Sequence, residues 1–566
     1  MKLRLKTQLF QAIVLWMPVL CLQVFVAVEF SAAQRCETLA NTVKNDAAIK
    51  SVNSVLVPAS GANAAHCQVD LLYGTNPNQN INIRIGLPLN TADGGKGGVQ
   101  GAWNGRTEGL GGAVCMGFLD VREAVNAGYV GSRTDLGHQG GDCEPGVNPD
   151  GTYNMQFIQD FLRNAIEQQV LWAKRLANIY YETKPAYNYW NGCSTGGRQG
   201  YLLAQELPDE LDGILADAPA IYWTRFGSAG MWGQIVIKEV NGGPIAPAKL
   251  EQATRSAVAA CDAADSVIDG IIDDPRTCHF SAAANICGTT TAPAQNCLTA
   301  KEAEAIDKIW DGPRNANNEK IWFGVDRGSD LGVLNGAWVF PLNVTQLRWD
   351  EHNRNFDWKS VDMAGYARVA QDGSRNIGDI TNTDKPLDEF RRHGGKLMTY
   401  VGANDQLIFP RGVIHYYRQM AARYSTDGVP DFKNLYSFYR LFRAPGNGHC
   451  GGGSTGPVPG DRFTALVNWV EHGQAPDMLL ASGGSAAPES GRTRPVCLYP
   501  QRSIYNGSGD RNDAKNFHCG GNLETQDVVC SDVLAEYKHE ADGKLDFRGT
   551  GVNPRICNTR TPSSVM

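Results

Sequence analysis

Fifteen cysteines in 566 residues constrain this chain more than any other feature of its sequence. An odd count cannot pair completely, and so many thiols are out of place in a reducing compartment. The amino terminus resolves the parity. Lys2, Arg4 and Lys6 precede an apolar run from Leu9 to Val28 interrupted only by Gln11, Pro18 and Gln23, and Ser31-Ala32-Ala33 supplies the small residues that a signal peptidase accepts. Residues 1–33 therefore read as a secretory signal. The length of the run leaves an uncleaved anchor as the alternative, which Pro18 and the Ala-Ala site oppose. Cleavage removes Cys21 and leaves fourteen cysteines in a chain bound for an oxidising compartment, which fits seven disulfides. Zinc is the weaker reading, because no two Cys-x2-Cys pairs occur.

The length allows one large domain with an insertion, or several ordinary ones. Hydrophobic residues at 42% and charged residues at 20% exclude a disordered chain, a coiled coil and a multi-span membrane protein. A net charge of -7 argues against a nucleic-acid binder. Sixty-three glycines predict many tight turns and close backbone approaches. Along the chain, Ile81-Asn82-Ile83-Arg84-Ile85 alternates as a half-buried strand ended by Gly86 and Pro88, and apolar residues recur at helical spacing from Phe157 to Tyr181. Tyr187 to Trp190 reads as a strand and Gln199 to Leu207 as a helix, with further strands at Gly213–Ala216, Lys396–Val401 and Tyr439–Phe442. The alternation predicts an α/β fold. Between Pro219 and about Lys385 a Trp-rich, Cys-containing texture without strand-helix rhythm reads as an insertion, and beyond Arg494 a polar tail with four cysteines reads as held by cross-links. Asn343-Val344-Thr345 and Asn506-Gly507-Ser508 are glycosylation sequons that matter in a eukaryotic secretory pathway.

Gly192-Cys193-Ser194-Thr195-Gly196 fits G-x-S-x-G, in which a serine sits on a sharp strand-to-helix turn and the glycines let the backbone crowd itself. An ordinary glycine turn is the competing reading; the strand before and the helix after favour a nucleophile. A serine needs a base, and the base an orienting carboxylate, in the order Ser, Asp, His in α/β-hydrolases. His449 lies in a glycine-rich loop beyond the Tyr439 strand, and Asp405 follows the Lys396 strand, where a plain turn residue is its competing role. Cys193 precedes the serine and Cys450 follows the histidine. If Ser194 and His449 meet, a Cys193–Cys450 disulfide would pin one loop to the other.

At these residues the chain resembles the tannase and feruloyl esterase family, which also includes the bacterial mono(2-hydroxyethyl) terephthalate hydrolase. The resemblance covers nearly the whole mature chain. It rests on Trp103-Asn104-Gly105-Arg106, Gly192 to Arg198, Cys261-Asp262 through Asp274-Pro275, Gly394 to Leu397, Asp405, and Pro445 to Gly452. It implies an α/β-hydrolase core with a large inserted lid domain: signal 1–33, core 34–216, lid 217–384 with a calcium loop, and core 385–566 with a disulfide-linked extension. It implies Ser194 as nucleophile, His449 as general base and Asp405 as its orienter. The oxyanion donors would be the N–H groups of Thr195 and, from Gly109-Leu110-Gly111-Gly112, Gly111, with Gly112 as competitor.

Cys261 to Ile271 is not an EF-hand, and its three carboxylates within eight residues read by themselves as a solvated acidic turn. The resemblance implies instead a structural Ca²⁺ far from the chemistry, bound by side chains of Asp262, Asp265 and Asp269 and carbonyls of Val267 and Ile271, with Cys261–Cys278 closing the loop. The family pattern also implies Cys287–Cys297 and Cys497–Cys519, which leaves Cys36–Cys67, Cys115–Cys143 and Cys530–Cys557 by proximity. His138 resembles a family motif and is expected to be structural. The expected activity is that of a secreted serine esterase, extracellular or periplasmic, without an organic cofactor, a nucleic-acid partner or a membrane after signal cleavage. Its substrates would be feruloyl or other hydroxycinnamoyl esters of plant polysaccharide, or galloyl esters of tannins. A terephthalate monoester hydrolase or lipase-like esterase is the enzymatic alternative, and a binding protein on an inactive hydrolase scaffold the other. Trp223, Trp232, Trp310, Trp322 and Trp338 are the aromatic residues from which the lid could shape a pocket.

Overall fold

The computed structural model describes residues 35–525 apart from 96–102, 142, 290–292, 336–339, 427–429, 454 and 484–490, together with Val528–Val529 and Cys557–Asn558. The expected signal, Trp338, and Cys530 with its expected bond to Cys557 lie outside the described residues.

The main sheet has nine strands among the described residues, in the order β1-β2-β3-β5-β4-β6-β7-β8-β9. They are β1 (Ile49–Val57), β2 (His66–Tyr73), β3 (Ile81–Pro88), β4 (Arg106–Leu110), β5 (Val130–Thr134), β6 (Tyr187–Cys193), β7 (Gly213–Asp217), β8 (Lys396–Gly402) and β9 (Tyr439–Ala444). β1, β2 and β3 pair antiparallel and β3 joins β5 antiparallel. From β5 onward every neighbour is parallel. Parallel strands are covered by helices on both faces, so β7 and β9 are buried along their whole length. Tyr189 packs on one face with Leu215, Met398 and Trp469, and its neighbour Trp190 on the other with Ile214 and Leu397. Because these strands run parallel, their carboxyl ends share one edge, where α/β folds place their ligands.

Two elements differ from the sequence expectation. β3 continues through Gly86 to Pro88, because Gly86 lies under the helix Arg122–Asn126: a Cβ there would stand 2.6 Å from a Val125 methyl. The helix expected from Phe157 is split by a π-turn at Asp160–Asn164, where the buried Asp160 carboxylate accepts hydrogen bonds from Gln79, Gln156 and Asn164.

Between β7 and β8 the described residues form helices and turns without a strand of any named sheet. Gly227, Gly230 and Gly233 face out from one side of the helix Trp223–Val236, and Cβ atoms there would lie 2.6 Å from Gln346, 2.3 Å from Asn343 and 2.4 Å from Leu334. The spacing of three lets the helix Phe340–Asp350 approach this backbone closely. Asn343 is buried in the contact, so its sequon cannot carry a glycan in this fold, whereas Asn506 is exposed. After β9, the described residues add a three-stranded sheet, the hairpin Arg502–Tyr505 with Phe517–Gly520, and a parallel pairing of Val528–Val529 with Cys557–Asn558. Six disulfides join Cys36–Cys67, Cys115–Cys143, Cys193–Cys450, Cys261–Cys278, Cys287–Cys297 and Cys497–Cys519, the same partners as anticipated from sequence. Among the described residues no helix is long and apolar enough to cross a membrane.

Asp350 ends the helix Phe340–Asp350 fully buried, with Gln346 Nε2 on Oδ1 at 2.7 Å and no partner for Oδ2 among the described residues. Burial pushes its carboxyl well above the ordinary range, which favours the protonated form in the folded protein. The unfolded chain ionises it near pH 4, so stability from this group is greatest below that value and falls as pH rises toward the folded pKa. Asp350→Asn should raise the melting temperature more at pH 8 than at pH 5, as thermal unfolding at the two pH values would measure; an equal shift at both would contradict the assignment.

Candidate active site

β6 ends at Cys193, and Ser194 turns the chain into the helix Thr195–Glu206 with φ 64° and ψ -120°. A non-glycine residue in such a region costs on the order of 1–3 kcal/mol and persists only where its surroundings over-determine it. Here Ser194 N–H donates to the Asp217 carbonyl at 2.9 Å, and the Ser194 carbonyl accepts from Arg198 and Ala220. The flanking glycines are required by contact, since a Cβ on Gly192 would lie 2.5 Å from the Gly196 carbonyl carbon.

Asp405 follows β8 and is 1% exposed. Its Oδ1 accepts the N–H groups of Leu407 and Ile408, both at 2.9 Å, and its Oδ2 lies 2.8 Å from His449 Nδ1. A carboxylate there places the ring proton on Nδ1 and leaves Nε2 as the basic nitrogen. The two loops interlock. Asn404 N–H donates to the Asn447 carbonyl at 2.9 Å, Gly446 N–H to Asn404 Oδ1 at 2.9 Å, and His449 N–H to Gln406 Oε1 at 3.3 Å. The other acid at this edge, Asp217, is held by Arg462 Nε at 2.9 Å and makes no described bond to His449. The Cys193–Cys450 disulfide, with Cα atoms 6.0 Å apart, joins the serine turn to the histidine loop across 257 residues of sequence. The described hydrogen bonds of His449 join it to Asp405, Gln406 and Gly452, and none joins it to Ser194. Such bonds often tighten only when substrate is bound.

Thr195 N–H stands at the start of the helix that follows Ser194, where backbone donors lack intrahelical partners. Both candidates for the second oxyanion donor have acceptors within the protein. Gly111 N–H donates to the Asn191 carbonyl at 3.0 Å, and Gly112 N–H to Gln199 Oε1 at 2.9 Å, so both are spent in this conformation. Gly111 is also a close-approach residue, because its Cβ would lie 2.5 Å from Gly196 Cα. The loop is braced by Thr195 Oγ1 on the Val114 carbonyl at 2.8 Å and by His138, whose Nε2 lies 2.6 Å from the Cys115 carbonyl.

Arg198 was legible only as part of the glycine motif. Its guanidinium is fully buried without a carboxylate partner among the described residues, donates to the carbonyls of Thr381 and Leu162, and lies over Trp223. Burial lowers its pKa to about 9. It ties the helix after Ser194 to the end of the helical segment between β7 and β8. Trp223, Trp310 and Trp322 are packed into the interior, whereas Trp232 lines a cavity shared between that segment and Gln406, Leu407 and Phe409 of the loop after Asp405.

The expected calcium residues are only partly assembled as ligands. Asp262 accepts the N–H groups of Asp269, Gly270 and Ile271, and Asp269 pairs with Arg494 at 2.6 Å. Among the described residues no group of three or more His, Cys, Asp or Glu side chains converges as a metal site. Asp265, Val267, Asp269, Ile271 and Asp273 nevertheless line one cavity, and burial with the like charges of Asp273, Asp269 and Asp262 pushes Asp265 up to about 6. Pro445 and Pro457, whose carbonyls accept from Asn447 Nδ2, also line this cavity.

The sheet and its flanking helices define an α/β-hydrolase fold. A family model described as tannase and feruloyl esterase matches residues 98–520. A protein of Arthroderma benhamiae named "Probable feruloyl esterase" is 32% identical over 478 residues, covering 80% of this chain and 85% of that one. Feruloyl esterase B from Aspergillus oryzae has a crystal structure similar to this one, with a TM-score of 0.72 at 25% identity over 86% of this chain and 99% of that chain. Tannin acyl hydrolase from Aspergillus niger shares the fold, with a TM-score of 0.71 at 22% identity over 84% and 91%. The chain belongs to the tannase and feruloyl esterase family and is a carboxylic ester hydrolase.

Displacing the serine turn from the histidine loop by about 1 Å is expected to cost roughly 10²-fold in rate. Replacing Cys193 and Cys450 together by alanine should lower kcat/KM by about that factor at temperatures where circular dichroism shows the variant still folded. A fully active double variant would remove the disulfide from any role in positioning.

Proposed function

We propose that the protein is a secreted serine esterase acting on aromatic carboxylic esters, with Ser194 as nucleophile, His449 as general base and Asp405 as its orienter. The observation that carries this reading is the Asp405–His449 contact of 2.8 Å, on a loop cross-linked beside Ser194. Ser194 Oγ attacks the ester carbonyl while His449 Nε2 takes its proton. The oxyanion forms beside Thr195 N–H at the positive end of the helix Thr195–Glu206. As the C–O bond breaks, the imidazolium protonates the departing alcohol oxygen. Water, deprotonated by the same nitrogen, then attacks the acyl-enzyme and releases the aromatic acid with Ser194 restored.

Residues 217–384 form the lid over cores 34–216 and 385–566, supported by the cavity that this segment shares with the loop after Asp405. Secretion is supported by six disulfides, which persist in oxidising compartments. The protein's substrates are feruloyl or other hydroxycinnamoyl esters of plant polysaccharide, or galloyl esters of tannins, a reading supported by relatives named feruloyl esterase and tannin acyl hydrolase. A structural Ca²⁺ fits the cavity beside Asp265 in chemistry, since hard oxygen donors and buried negative charge are what that cation selects. Asp262, Asp265 and Asp269 would hold it with the carbonyls of Val267 and Ile271, and the ion would supply charge neutralisation and loop rigidity only.

Ser194→Ala should abolish hydrolysis of methyl ferulate and methyl gallate with an unchanged melting temperature, and wild-type rates on these and on a terephthalate monoester rank the acyl groups. Activity retained by Ser194→Ala would refute the mechanism. Chelation with EDTA should lower the wild-type melting temperature; no shift would count against an exchangeable ion.

A further inference from the structure

We propose that Arg462 is a positioning residue for ester hydrolysis, which ties the turn carrying Ser194 to the loop carrying His449 through Asp217, Tyr400 and Asn447. This deepens the serine-esterase reading and rests on it. Cys193, Asp217, Tyr400 and Phe442 are register partners in one row across β6, β7, β8 and β9, so their side chains share a face of the sheet. The helix Arg462–His472 packs on that face and begins with Arg462. Asp217 is 5% exposed, its Oδ1 has no partner among the described residues, and its Oδ2 accepts from Arg462 Nε at 2.9 Å. A carboxylate buried in this way depends on its cation. The guanidinium also donates through Nη1 to the Pro459 carbonyl and lies over the Tyr400 ring, 4.7 Å from its centroid. Its planar fork fixes these three groups at once, which a lysine ammonium would not do. Asp461, immediately before it, takes up φ 23° and ψ 33°, an unfavourable backbone for a residue other than glycine that persists where its surroundings over-determine it.

Both ends of the tie reach the site. The Asp217 carbonyl accepts the Ser194 N–H at 2.9 Å, so the strand end that Arg462 holds is the one on which the serine turn rests. Tyr400 is fully buried, and its hydroxyl donates to Asn447 Oδ1. Asn447 is fully buried as well, and its Nδ2 donates to the carbonyls of Pro445 and Pro457 at 3.2 and 2.8 Å, so the carboxamide is fixed through both of its functions. Asn447 stands two residues before His449, and Cys450 directly after it. The disulfide at Cys450 fixes the distance of the loop from the serine turn and leaves rotation about that point. A second attachment at Asn447, on the other side of His449, removes the rotation and sets the direction of the imidazole. Under the proposed mechanism the same nitrogen serves acylation and deacylation, so a turned ring slows the chemistry without weakening the binding of the ester.

The test is kcat and KM of Arg462→Met and Tyr400→Phe, on whichever of methyl ferulate, methyl gallate and a terephthalate monoester the wild type turns over fastest. Both variants should lose about tenfold or more in kcat with KM within about threefold of the wild type, at temperatures where circular dichroism shows them folded. A wild-type kcat in either, or a loss carried by KM, would overturn the positioning role. Should Arg462→Met unfold because it leaves Asp217 unpaired, Asp217→Ala combined with Arg462→Met removes both charges and is read in the same way. In the Cys193→Ala, Cys450→Ala background, Arg462→Met should cost at least about threefold more than in the disulfide-intact protein, because the tie then holds the loop alone. Equal costs in the two backgrounds would mean that Arg462 acts on something other than that loop, and would overturn the proposal. Activity retained by Ser194→Ala would instead remove the serine-esterase reading, and with it the reaction that the tie serves.

Discussion

The Cys193–Cys450 bond is the constraint on which the geometry at the strand ends depends. β6 and β9 are not neighbours in the sheet; β7 and β8 lie between them. Sheet pairing alone therefore leaves the loops beyond them free to diverge. A cross-link across 257 residues removes that freedom and in the chain-entropy model also stabilises the fold by about 5 kcal/mol, although measured gains are often smaller. The position of the bond matters more than its strength. It is adjacent in sequence to both Ser194 and His449, so under the proposed mechanism it acts where an error of an ångström has the largest effect on rate. Asp405 needs no such bond, because its loop is already interlocked with the histidine loop through Asn404, Gln406 and Asn447.

Buried charge follows from the same economy of motion. Arg198 sits in the helix after Ser194 with carbonyls and the Trp223 ring in place of a counter-ion, and Glu108, three residues before Gly111, is pushed up to about 7 by burial with Asn191 as its hydrogen-bond donor. Both are costly in isolation, and both fix backbone beside the candidate nucleophile. Asp350 is the counterpart in the helical segment, a carboxyl whose neutral form burial favours, packed under a glycine: a Cβ on Gly373 would lie 2.1 Å from its Oδ1.

How much of this was legible from sequence depended on whether the signal was local. β6, β7, β8 and β9 are apolar runs between turn residues and stand out, and the cysteines flanking Ser194 and His449 made their pairing readable. β4 did not stand out, because Arg106-Thr107-Glu108-Gly109-Leu110 carries polar residues that are satisfied only across the sheet, Thr107 by Asn188 and Glu108 by Asn191. The availability of an N–H group is equally invisible, which is why Gly111 could be matched to an oxyanion loop although its donor is committed to Asn191. Asn343 was readable only as a sequon, since burial against Gly230 depends on two helices more than a hundred residues apart in sequence.

Covalent labelling tests the central assignment most directly. Incubating the native, disulfide-intact protein with an aryl fluorophosphonate, followed by proteolysis and mass spectrometry, should place a single adduct on Ser194, with labelling suppressed in His449→Ala. An unlabelled protein, or an adduct on any other residue, would contradict the assignment of Ser194 as the nucleophile activated by His449.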